Sequence, residues 1–129
     1  MPRLLTTTLS PSPDAYAPDG SEVRLLAALN GGSFAHFTLA PGKVSAPVSH
    51  RSVEEIWYVV AGAGEVWRKL GGEESVIPVR PGVALTIPLG THFQFRAGAE
   101  PLSFVAVTMP PWPGPDEAFP VEGKWPASA

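Results

Sequence analysis

A chain of 129 residues with 44% hydrophobic and 16% charged content has the size and apolar mass of one globular domain, and not the composition of a disordered segment. A formal net charge of −3 offers no basic surface for nucleic acid, and the absence of cysteine excludes disulfides, thiol chemistry and thiolate-held zinc or iron–sulfur groups. The opening MPRLLTTTLSPSP has too short an apolar stretch for a signal peptide and no run approaches a membrane span, so a cytoplasmic protein with no membrane partner is expected.

Thirteen glycines and sixteen prolines punctuate the chain every eight to twelve positions, a spacing that long helices do not survive and short strands do. Leu4 to Leu9 reads as an opening strand, followed by a proline-rich connector from Ser10 to Gly20. Glu22 to Leu29 and Ser33 to Leu39 read as strands joined through Gly31-Gly32, and Pro41-Gly42 ends the second. Val48 to His50 starts the next; Glu55 to Ala61 is rich in aromatic and β-branched residues, and Gly62-x-Gly64 turns it into Glu65 to Leu70. Val76 to Val79, Val83 to Ile87, Thr91 to Arg96 and Leu102 to Met109 complete an all-β set that fits an antiparallel sandwich or barrel. The rest, MPPWPGPDEAFPVEGKWPASA, has the composition of a disordered tail, but Trp112, Phe119 and Trp125 would expose much apolar surface if left free. It is expected to pack on the barrel or on a partner subunit.

Two segments decide between the β architectures. Gly42 to Gly62 reads GKVSAPVSHRSVEEIWYVVAG, and Gly82 to Ala97 reads GVALTIPLGTHFQFRA. With Gly42, His50, Glu55 and Gly62 in the first, and Gly82, Pro88 and Gly90 in the second, the chain resembles the cupin family. The resemblance spans roughly Glu22 to Met109 and implies a jelly-roll barrel, or double-stranded β-helix, with a pocket inside it. It divides the chain into an N-terminal strand and connector (1–21), the barrel (22–109) and the tail (110–129). The sequence departs from the family at two metal ligands: Val48 stands at the place of the first histidine and Phe93 at that of the third.

His50 and Glu55 are therefore the candidate site pair, as acid and base or as two metal ligands. Side chains alternate along a strand, so Val48 and His50 share a face, and Glu55 and Trp57 share another. Thr91, Phe93, Phe95 and Ala97 form one face of their strand, and His92, Gln94 and Arg96 the other. Val48, Trp57, Phe93 and Phe95 are accordingly expected to line the pocket. A one-residue slip would bring His92 inward but expose both phenylalanines, at about 1.5–3 kcal/mol each. His92 becomes a third ligand only through a bulge at Gly90-Thr91. His36 could add a nitrogen if its face of the strand looks inward; a histidine in a strand is more often simply hydrogen-bonded. Glu54, Arg68 and Lys69 fit solvated surface positions, and Tyr58 fits an apolar strand.

Three functions follow from this pattern. The first is a small-molecule-binding protein with an aromatic pocket and a degenerate metal site, akin to the acid–base isomerases and epimerases of the family. The second is a metal-dependent dioxygenase or isomerase that holds zinc, iron, manganese, nickel or copper through His50, Glu55 and a nonstandard third ligand. The third is a non-catalytic sensor or structural dimer. Two protein ligands hold a transition metal weakly where catalytic sites supply about three, which favours the first. No firm cofactor is implied, no phosphate-binding motif is present, and a homodimer paired through sheet edges or the tail is expected.

Overall fold

The computed structural model describes residues 4–129; the first three residues of the N-terminal segment lie outside them. Eleven strands follow in order: β1 (Ala15–Tyr16), β2 (Glu22–Leu29), β3 (Gly32–Leu39), β4 (Val48–His50), β5 (Glu54–Ala61), β6 (Gly64–Leu70), β7 (Glu73–Val79), β8 (Ala84–Ile87), β9 (His92–Ala97), β10 (Leu102–Met109) and β11 (Ala118–Pro120). They form two antiparallel sheets, one in the order β1-β2-β3-β10-β5-β8 and the other β11-β4-β9-β6-β7. This is the jelly-roll barrel, all β and without a helix among the described residues. No helix among the described residues is long and apolar enough to cross a membrane.

The alternation read in the sequence sets which side chains meet between the sheets. On β5, Glu55, Trp57 and Val59 are buried while Glu54, Ile56, Tyr58 and Val60 are exposed. Trp57 and Phe104 stack at 4.0 Å between ring centres, Phe37 stacks on the far side of Phe104 at 5.2 Å, and Phe93 and Phe95 meet Trp57 edge-on. Each such aromatic pair adds about 0.5–1.5 kcal/mol beyond the area it buries. Leu39, Val66, Ile87 and Leu102 close the core around them.

The β5–β6 turn depends on one glycine. Gly62 has φ +75°, and a Cβ there would run into the Pro101 carbonyl at the start of β10. A side chain would be both strained and obstructed, so the close approach of this turn to the chain entering β10, the neighbour of β5, requires glycine.

Two expectations need correction. Leu4 to Leu9 is not a strand: its backbone pairs with nothing, Leu4, Leu5 and Leu9 are exposed, and Thr7 Oγ1 alone reaches β2, donating to the Leu26 carbonyl at 2.8 Å. The edge of β2 is taken instead by Ala15–Tyr16, inside the proline-rich connector. The C-terminal segment contributes β11, which pairs antiparallel with β4 through Ala118↔His50 and Pro120↔Val48. It then runs over the outer face of β9, where the Gln94 amide donates to the carbonyls of Ser45 and Trp125 and accepts from the N–H groups of Lys124 and Trp125. Gln94 was expected at the surface by parity; the tail covers it completely.

Candidate functional site

Between the sheets, at the end where β4 and β10 meet the two terminal segments, lies a cavity of about 490 Å³. Its walls are set by register. Val48 on β4 is the cross-strand partner of Phe93 on β9, and Glu55 on β5 is the partner of Thr108 on β10. These four, with His50, Trp57 and Phe104, line it from the barrel side; Tyr16, Asp19, Phe34 and Trp112 line it from the edge and the terminal segments. Most of the wall is apolar.

Glu55 is 6% exposed, and its charge has an explanation in its neighbours. Trp57, two residues on and hence on the same face, donates Nε1–H to Glu55 Oε1 at 2.9 Å. Thr108 Oγ1 donates to Oε2 at 2.7 Å. A carboxylate accepting two donors is fixed in orientation and its burial is compensated. His50, 7% exposed, stands edge-on to Phe93 at 5.2 Å and to Trp112 at 5.4 Å. Its Nδ1 is buried without a hydrogen-bond partner among the described residues.

Of the expected lining, Val48, Trp57 and Phe93 face the cavity with His50 and Glu55; Phe95 and His92 do not. Phe95 is fully buried one layer deeper, edge-on to Trp57 and Phe104, so it supports the wall rather than touching a ligand. His92 pairs across to Lys69 on β6 and shares the outer face of β9 with Gln94 and Arg96. Gly90 turns at φ +88° without rotating His92 inward. His36 also lies outside: Phe37 enters the aromatic core, so the neighbouring His36 faces away, beside Arg24 of β2. Burial and then the Arg24 charge hold its pKa below the ordinary histidine value.

Thr108 and Asp19 line the cavity without being singled out in the sequence, and Trp112 is singled out there only as a ring that must be covered. Thr108 carried a signal, being the polar residue on the inward face of Leu102, Phe104 and Ala106. Asp19 carried none, since it comes from the connector ahead of the motif strands. Asp19 is 9% exposed, in the turn before β2, and its Oδ1 accepts from Ser21 N–H at 2.9 Å and Ser21 Oγ at 2.6 Å. Burial pushes its carboxyl above the usual aspartate value despite those hydrogen bonds; Glu55 adds to the push and His50 opposes it. Glu117, on the other side of β4, behaves oppositely. Burial would raise it, but hydrogen bonds from Ser52 Oγ and the Ser52 and Val53 N–H groups, with His50 nearby, hold it below the usual value.

A transition metal is usually held by about three protein ligands that converge on one point. Among the described residues no three histidine, cysteine, aspartate or glutamate side chains converge so, and both Glu55 oxygens already hold protein donors. With valine and phenylalanine at the two cross-strand positions beside His50, the donor set does not fit a resident metal.

The sequence model of the family described as "Cupin domain" matches residues 35–108, more than half of the chain. No curated protein matches it. Solved structures of the same shape include KdgF from Halomonas sp., at 24% identity and a TM-score of 0.63, covering 75% of this chain and 85% of that one. CapF bound to the inhibitor 3-isopropenyl-tropolone aligns at 16% identity and TM-score 0.70, covering 83% of this chain and 33% of CapF. Oxalate decarboxylase from Bacillus subtilis aligns at 18% and 0.72, covering 82% and 29%. At these identities the likeness concerns the fold, and the chain spans about a third or less of the latter two proteins.

Proposed function

The chain belongs to the cupin family, and we propose that its barrel is a metal-independent site for a small organic molecule, with His50 and Glu55 as the acid–base pair that meets it. The observation that carries this reading is the engagement of Glu55. Its carboxylate is oriented by Trp57 and Thr108 rather than left open toward an ion. Each oxygen keeps a second lone pair, enough to accept a hydroxyl or N–H of a bound molecule. His50 supplies a ring nitrogen with no hydrogen-bond partner among the described residues, open to exchange a proton with a bound molecule. Phe93, Trp57 and Val48 set apolar surface around the pair, which strengthens the polar contacts a bound molecule makes there. The reaction class that fits is proton removal and return on one molecule, as in isomerisation or epimerisation, which needs no redox group and no second substrate.

Elemental analysis of untagged protein is the test. Well below one equivalent of any transition metal per chain is expected, with ligand-induced changes in tryptophan fluorescence persisting after dialysis against a chelator. One equivalent of metal that survives that dialysis would overturn the reading.

A further inference from the structure

The cavity has an unbalanced charge. Asp19 and Glu55 both face it and both are more than nine-tenths buried, yet neither is paired with a lysine or arginine among the described residues. Among the described residues no lysine or arginine lines the cavity, and one imidazole, His50, faces the two carboxyls. Buried carboxyls are normally matched by a cation or by a full set of donors. Glu55 has its donors. Asp19 has them on one oxygen only: Ser21 serves Oδ1 twice, and no described residue donates to Oδ2.

The rest of the wall has the complementary chemistry. Trp57, Phe93 and Phe104 are its buried aromatic lining, and Tyr16, Phe34 and Trp112 its exposed one. Aromatic faces attract a cation through the ring quadrupole and repel an anion, most strongly where water is excluded. Carboxyl groups and aromatic faces thus favour the same sign of charge, while an anionic ligand would find no counter-charge beyond one imidazole.

We propose that the cavity selects a protonated amine carried on an apolar, ring-sized body, and that Asp19 is the residue that takes the ammonium group. This rests on the barrel cavity being the ligand site, and it adds the substrate class. Asp19 Oδ2 accepts from the ammonium, the ring-sized body lies against Trp57 and Phe93, and the His50–Glu55 pair meets the portion between. The charge that burial makes costly on Asp19 is the charge the ligand neutralises. Asp19 lies outside the segment that matches the family, so this selectivity belongs to the chain's own N-terminal connector.

Three probes with one body and different heads test it: 2-phenylethylamine, 2-phenylethanol and 3-phenylpropionate, titrated against the chelator-dialysed full chain by calorimetry and tryptophan fluorescence. The amine should bind at least about tenfold tighter than the carboxylate, as a desolvated charge pair against a repelled one requires. Asp19→Asn, which keeps an acceptor for Ser21, should remove most of the amine's advantage over the alcohol. A carboxylate that binds as well as the amine overturns the proposal, as does an amine-to-alcohol ratio that Asp19→Asn does not change. Should the variant fail to fold, the three-probe comparison on the parent decides alone. Alcohol binding without preference for the amine would sink the amine assignment and leave the cavity as a ligand site; no binding of any probe would sink both.

Discussion

Glu55 and Asp19 show how two buried carboxyls in one cavity come to differ. Glu55 sits in a strand, where parity places Trp57 beside it and register places Thr108 opposite, so both oxygens are served. Thr108→Val keeps the shape and removes the donor to Oε2. It should cost about 1–3 kcal/mol in urea unfolding, the usual penalty for stranding a buried acceptor, and that cost should shrink in a Glu55→Leu background. An unchanged unfolding midpoint for Thr108→Val would mean that the hydrogen bond does not hold Glu55. Asp19 sits in a turn, with one oxygen served and a raised pKa. Between the ordinary aspartate value of 3.8 and the raised folded value, the folded chain binds the extra proton, so stability falls as pH rises through that window. Asp19→Asn removes this slope. Its melting temperature should gain on the parent's across the window and keep a constant lead above it. Glu117 has the opposite sign: its contribution is present above 4.5 and is lost as pH falls through its lowered folded value, so Glu117→Gln should flatten the acid limb. Melting curves of the parent and both variants against pH check the two signs together.

At the scale of strands, the register of β4 against β9 decides what the site can become. Val48 and Phe93 are direct partners, with His50 two residues along and Glu55 across the cavity. Val48→His with Phe93→His should therefore create a three-histidine, one-glutamate set whose nitrogens can approach zinc at about 2.0–2.1 Å. The metal-free variant should lose a few kcal/mol from the two buried polar groups, and its melting temperature should rise with added zinc or nickel. His92→Ala should leave that gain intact, since His92 lies on the other face; loss of the gain would place His92 in the site. The sequence made this register readable because its constraints are local. Gly42, Gly62, Gly82 and Gly90 all adopt positive φ, a demand written into residue type, and the apolar side of β9 could be buried in only one way. Leu4 to Leu9 was misread because alternation describes a strand's faces but not whether an edge is free to pair with it. Asp19, β11 and the place of Trp112 in the cavity wall escaped for a related reason: each is set by contacts with residues far along the chain, and composition alone reads those segments as linker and tail.

Across the whole molecule, the tail's rings are used on the chain's own barrel. Arg51 lies over Phe119 at 4.8 Å, Arg96 over Trp125 at 4.2 Å, and Trp112 closes against His50. The tail is therefore a poor candidate for the interface of the expected homodimer. A better one is the outer face of the first sheet, where Ile56, Tyr58 and Val60 of β5 stand exposed beside the half-buried Val105 and Val107 of β10. An apolar stripe of this kind on a sheet is a liability for a lone subunit, and a stable pair needs only about 800 Å² from each partner. On this account sedimentation should give a dimer, and Tyr58→Lys with Val60→Lys should give a folded monomer by placing like charges across a two-fold contact. Truncation after Pro120 removes the cover from Gln94 and all its tail partners, so it should lower the melting temperature while leaving the dimer mass unchanged. A parent that sediments as a monomer would remove the need for any interface, and a truncated chain that dissociates would return the interface to the tail.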